Sequence, residues 1–247
     1  MNFVKPALEG TKNVLFSAKK SGTVKRVVLT SSCAAVTWAD PTPKGQDYIW
    51  NEDDWQTDNT LERGPYRMSK SLAEREAWKL SKQFGFDLVS ICPSFILGPV
   101  LNERADAASV SFMRSLIDGS TDSVSAAAFG VVDVRNVAQA HVNAMTVDLN
   151  LPGLKNRSGE ARFVLSSQES ISREEIAKAL HNSTEFNDWP VPTKADGPPL
   201  QSLLYSNERA RKFLHIDFIG YKESIVLGCQ SLVKHGIVAK YSGASKL

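Results

Sequence analysis

Arg26-Val27-Val28-Leu29-Thr30-Ser31-Ser32 is an almost unbroken apolar run that ends in hydroxyls. A half-exposed strand alternates apolar and polar residues, so a run of this kind suits a strand covered on both faces. A second run, Asp87-Leu88-Val89-Ser90-Ile91-Cys92, is closed by Pro93, and a third spans Arg162 to Leu165. Between the first two, Tyr66, Lys70, Ala73, Ala77, Leu80 and Phe84 form a stripe at helical spacing that stops at Gly85. Strands separated by helices require crossover connections. The reading is an α/β fold with Val27–Ser32, Phe86–Cys92 and Phe163–Leu165 as parallel strands of one sheet.

Outward from that unit, Val4, Leu8, Thr11, Leu15 and Ala18 recur at helical spacing, with Pro6 in the first turn and Gly22 at the end. In a doubly wound sheet such a helix follows a strand, and here only a few residues precede it. Asp40 to Pro65 is rich in Pro, Gly, Asp and Asn and reads as a long loop over the mouth of a site. Downstream, helices are predicted over 107–117, 133–145, 172–180, 206–214 and 221–234, and strands over 126–132 and 162–165. Asp133 is a good N-cap, and Ser172-Arg173-Glu174-Glu175 is a capping box. Asn187 to Leu200, with four prolines, reads as loop. Residues 1–99 are expected to form the dinucleotide-binding half, and 100–247 mostly a substrate-binding lobe with segments near 126–180 returning to the sheet.

Tyr66 and Lys70 stand one helical turn apart, so both side chains leave the same face. An ammonium beside a phenol favours the ionised phenol, which makes such a pair able to exchange a proton with a substrate oxygen. Taken alone, the spacing also fits the head of a core-facing stripe or a solvated helix face. Ligands in open α/β sheets bind beyond the carboxyl ends of the strands, so Ser31-Ser32 and the loop Pro93-Ser94-Phe95-Ile96-Leu97-Gly98-Pro99 should share a crevice.

These segments, in order, resemble the extended short-chain dehydrogenase/reductase family, with most likeness to dihydroflavonol and cinnamoyl-CoA reductases. The resemblance is carried by Pro6 to Leu15, Thr30-Ser31-Ser32, Tyr66 to Lys70, Pro93 to Pro99 and Asp133 to His141. It implies a partial Rossmann-type doubly wound parallel sheet with a small C-terminal lobe, and an NADP-dependent reduction of a ketone or aldehyde, with NAD as the other cofactor. Ser32, Tyr66 and Lys70 match the family's catalytic serine, tyrosine and lysine. Tyr66 would protonate the carbonyl oxygen, Ser32 would hydrogen-bond it, and Lys70 would assist the phenol and hold the cofactor ribose. Pro93, Ser94 and Phe95 match the loop that lines the nicotinamide. The same fold also carries epimerases and steroid dehydrogenases, and an inactive scaffold that keeps the triad by descent is a further reading.

One departure bears on the cofactor. A dinucleotide fingerprint needs G-x-G-x-x-G, and no two of the 15 glycines stand two positions apart; Gly10 lies inside a helix. The chain therefore reads as the back portion of a reductase, expected to bind NADP(H) poorly. Other classes find no support. A net charge of +2 without a basic run argues against nucleic acid. No apolar run approaches the ~20 residues of a membrane span, and the start is not a signal peptide, so cytosol is expected. Cys33, Cys92 and Cys229 lack metal spacing and read as small buried thiols. No metal site and no G-x-S-x-G elbow is present. His141 reads as a satisfied structural histidine, and the oligomeric state is left open.

Overall fold

In chain order the elements are α1 (Val4–Ser21), β1 (Arg26–Thr30), β2 (Ile49–Trp50), α2 (Pro65–Phe84), β3 (Asp87–Pro93), β4 (Phe95–Leu97), α3 (Ala108–Ile117), β5 (Val124–Ser125), β6 (Ala128–Phe129), β7 (Val131–Asp133) and α4 (Val134–Ala144). After α4 come β8 (Ala161–Leu165), β9 (Ile171–Ser172), α5 (Arg173–His181), β10 (Ala195–Asp196), β11 (Leu204–Tyr205), α6 (Glu208–Leu214) and α7 (Tyr221–Lys234). They come from a computed structural model that describes residues 3–241 except 39, 46, 59, 61, 63 and 198–201. The loop expected over 40–65 and the proline-rich loop over 187–200 therefore fall partly outside the described residues.

The three apolar runs form one parallel sheet in the order β1-β3-β8, with Val28 opposite Val89 and Ile91 opposite Phe163. Its two faces can be assigned from adjacent residues at the end of β1, whose side chains must alternate. The Thr30 hydroxyl lies 2.7 Å from Nε2 of His141 on α4, whereas the Ser31 hydroxyl donates to Glu74 on α2 at 2.6 Å. Helices α1 and α2 thus cover one face, and α4, with α6 packed against it, covers the other. Leu15, Ala77, Leu80, Leu88, Ile91, Ala140, Phe163 and Leu214 are buried in the core between them.

Burial of β1 departs from the expectation that Val27–Leu29 would be fully covered. They are only partly buried, while Leu88, Val89 and Ile91 of β3 are at most 3 % exposed. The reason is topological. Among the described residues β1 pairs with β3 alone, so its other edge stays open and an apolar run meets solvent there.

The segment read as one strand over 126–132 is instead divided. Gly130 separates β6, which runs antiparallel to β9, from β7, which runs parallel to β4. A Cβ at Gly130 would meet the Ser166 hydroxyl and stand 2.8 Å from the Tyr205 ring, so no larger residue fits that crossing. Gly130→Ala is expected to destabilise the fold by ~1–3 kcal/mol through overpacking. Urea unfolding will measure it, and a midpoint equal to that of the unsubstituted chain would contradict the packing argument. A second core, with Phe112, Met113, Leu116, Ile176, Leu180, Ile225 and Leu232, lies among α3, α5 and α7. No helix among the described residues is long and apolar enough to cross a membrane.

Candidate active site

Local chain geometry sets each predicted side chain. Tyr66 and Lys70 belong to the first turns of α2, which starts at Pro65, where a missing N–H costs nothing, and ends at Gly85. Gly85 adopts φ 77°, a left-handed conformation open to glycine, and its N–H closes on the Ser81 carbonyl at 2.8 Å. The stripe read from sequence does bury Ala73, Ala77 and Leu80, but its head leaves the core: Tyr66 is 48 % exposed and Lys70 half-buried. The Lys70 ammonium stands 5.9 Å from the Tyr66 ring centroid, and Phe3 meets that ring edge-on at 6.4 Å. Both polar groups are thus free of the core and open to a ligand.

Ser32 follows β1 in extended conformation and caps a short 3-10 turn, Cys33–Ala35. Its Oγ accepts the Ala34 N–H at 3.1 Å, which leaves the hydroxyl proton free to donate outward. That turn packs against α2. Ties fasten the two together: Arg67 donates to the Thr37 hydroxyl, Gln56 N–H to the Ala35 carbonyl at 2.9 Å, and Ser71 to the Gln56 carbonyl at 3.3 Å. Among the described residues no hydrogen bond joins Ser32, Tyr66 and Lys70 directly.

The loop after β3 lies beside this turn. Two residues beyond the paired Thr30 and Ile91 come Ser32 on one strand and Pro93 on its neighbour. The Ser94 N–H is used by the Leu165 carbonyl at 2.9 Å, but its Oγ is buried without a partner, a donor and acceptor left for something else. Phe95 turns the other way, against Phe129 at 4.7 Å and Phe112 at 5.7 Å.

What the sequence reading passed over is a buried ion pair. Glu74, one turn beyond Lys70, binds Arg162 of β8 through Nε at 2.8 Å and Nη2 at 3.2 Å, both side chains 0 % exposed. Arg162 Nη1 reaches the carbonyls of Glu52 at 2.9 Å and Asp54 at 2.7 Å, and its guanidinium stacks 3.8 Å from the Trp55 ring centroid. Glu74 also accepts from Ser31 at 2.6 Å and from Trp78 Nε1 at 3.3 Å. Burial alone would push its carboxyl up, but the Arg162 charge and the hydrogen bonds from Arg162 and Ser31 outweigh that and hold it below the usual carboxylate range. The signal was there to read: a charged residue inside Ala161-Arg162-Phe163-Val164-Leu165 has to be paired.

The cysteines are inert by the same logic. Burial raises all three thiols, Cys92 to about 12, so none is a thiolate at neutral pH. His141 is satisfied, with Nδ1 2.8 Å from the Val137 carbonyl. No group of three metal-type side chains exists among the described residues.

Residues 2–150 match the model of the NAD dependent epimerase/dehydratase family. The chain is 33 % identical to a cinnamoyl-CoA reductase of Medicago truncatula over 93 % of its own length and 67 % of the relative's. It is 31 % identical to tetraketide alpha-pyrone reductase 1 of Arabidopsis thaliana, covering 96 % of this chain and 68 % of that protein. A putative NADPH-dependent methylglyoxal reductase of Candida albicans is also 31 % identical, over 89 % of this chain and 67 % of its own. The chain thus spans about two thirds of the curated relatives it matches. Among solved structures, Gre2 from Candida albicans superposes with a TM-score of 0.75 at 26 % identity, over 95 % of this chain and 72 % of that one. With the parallel sheet and the Tyr66–Lys70 helix already in view, the chain belongs to the NAD dependent epimerase/dehydratase family, as the extended short-chain resemblance implied.

Proposed function

We propose that this chain carries the chemistry of an NADPH-dependent reductase that converts an aldehyde or ketone to an alcohol. The observation that carries the reading is the juxtaposition of Tyr66 and Lys70, free of the core, with the turn that presents Ser32. The residues fit the nicotinamide half of the cofactor: Lys70 would hold its ribose beside the Tyr66 ring, and the unpartnered Ser94 hydroxyl with Pro93 would line the nicotinamide, Phe95 being turned into the second core. When bound, NADPH supplies a hydride to the carbonyl carbon. Tyr66 then gives its phenolic proton to the carbonyl oxygen, Ser32 donates a hydrogen bond to the same oxygen, and the Lys70 charge stabilises the phenolate left behind. Similarity to the Candida albicans relative, a putative NADPH-dependent methylglyoxal reductase, supports NADP over NAD.

The phosphate half is a different matter. The sequence contains no glycine-rich loop to cradle a pyrophosphate. Binding of NADPH should therefore be weak, at or above the top of the ~1 µM–1 mM range usual for enzyme ligands. A calorimetric titration of the 247-residue chain, followed by NADPH consumption and alcohol formation with a panel of aldehydes and ketones, is the test. Saturable binding in the low micromolar range would overturn the weak-binding expectation. Absence of turnover at saturating cofactor would favour the second reading, a non-catalytic paralogue. An epimerised sugar nucleotide as product would replace the reductase reading altogether.

A further inference from the structure

We propose that Ser31, rather than being a bystander to Ser32, is the positioning residue that fixes Ser32 relative to Tyr66 and Lys70. The inference rests on the function proposed above. Ser31 is 5 % exposed, and its hydroxyl donates to Glu74 at 2.6 Å, so the residue that follows β1 is hooked to the helix that carries both other groups. Glu74 is one turn from Lys70 and two from Tyr66 on α2.

The hook works because its far end cannot move. Glu74 is gripped by two nitrogens of Arg162, and Arg162 is in turn tied to the carbonyls of Glu52 and Asp54. A bidentate guanidinium–carboxylate pair fixes orientation as well as distance. The Ser31 N–H is held separately by the Ile91 carbonyl at 2.7 Å, which sets the height of the strand end but not its approach to α2. The other ties between the 3-10 turn and α2 act at Ala35, the last residue of the turn, and at Thr37 beyond it; none holds residue 32. Ser31 is the tie on the near side. Because Ser32 is the next residue, a shift of Ser31 moves the Ser32 hydroxyl directly, and a displacement of ~1 Å at a reacting group can cost ~10²-fold in rate.

Ser31→Ala removes one hydroxyl from a buried site without leaving a hole, and Ser31→Thr keeps the donor. In the full chain, amide exchange at Ala34 and Ala35 reports on Ser32 itself, since these N–H groups bond to the Ser32 side chain and carbonyl at 3.1 and 2.9 Å. In Ser31→Ala their exchange should accelerate about tenfold, with the Gly85 amide at the far end of α2 unchanged. Turnover should fall about tenfold with KM for the carbonyl substrate unaltered, and Ser31→Thr should restore both. Unchanged exchange at Ala34 and Ala35 in Ser31→Ala would overturn the proposal, as would acceleration at Gly85 of equal size, which marks general loosening. If the unsubstituted chain shows no NADPH-dependent turnover, it is the function reading that fails, and the exchange comparison decides the role of Ser31 alone.

Discussion

Tyr66→Phe is expected to lower turnover by ~10²–10⁴-fold while leaving NADPH affinity within a factor of about 2–3. The phenol is needed only when the proton moves, and the ring that remains keeps its edge contact with Phe3. Tyr66 is 48 % exposed and its hydroxyl makes no hydrogen bond to another described residue, so the substitution should leave stability unchanged. That separates it from variants that fail by unfolding. Lys70→Ala should depress both affinity and rate, because its ammonium serves the cofactor ribose as well as the phenol. The measurement is steady-state NADPH oxidation at several cofactor concentrations beside a binding titration. A Tyr66→Phe protein within twofold of the original rate would remove Tyr66 from the mechanism.

The largest loss of stability should come from Arg162→Ala, at ~3–5 kcal/mol, the range for breaking a buried ion pair from one side. Truncation leaves the Glu74 carboxylate buried without its counter-charge and the Asp54 carbonyl without its side-chain donor, while the Glu52 carbonyl keeps only Asn156. The loss should depend on pH in a definite sense. With Arg162 present, the Glu74 carboxyl titrates below its ordinary value. Its contribution to stability is complete above the unfolded-state pKa of ~4.3 and disappears as pH falls through the lower, folded value. Without Arg162, burial dominates and moves the carboxyl the other way, so the variant's deficit is greatest near neutrality and shrinks in acid. Urea unfolding at a series of pH values will show whether the gap narrows. A deficit under about 1 kcal/mol, or one that is flat across pH, would mean that the pair contributes no more than a surface bridge.

Much of the architecture could be read from local pattern. The three parallel strands, α1, α2 with its glycine stop, the Asp133 N-cap and the Ser172–Glu175 capping box all agree with the structure. Each depends on interactions within a few residues, such as side-chain periodicity or a cap bonding its own helix, and those are encoded contiguously. The 126–132 segment is divided because its two halves pair with different partners, β6 with β9 and β7 with β4, which its own residues do not reveal. The exposure of Val27–Leu29 was misjudged for a like reason: covering a strand depends on its neighbours in the sheet, not on its own apolarity.

For the site, sequence alone determined that Tyr66 and Lys70 share a helix face, that Ser31 and Ser32 end a strand, and that no glycine-rich phosphate loop is present. It could not say that Ser31 and Ser32 have separate partners, one tied to Glu74 and the other capping the next turn. Nor could it say that Glu74 meets Arg162, 88 positions away, in a pair closed to solvent. Hydrogen bonds and ion pairs between distant segments depend on where packing brings the backbones, and periodicity carries no information about that. The helix face was therefore a property of the sequence, and the framework that ties α2 to the end of β1 was decided by the tertiary structure.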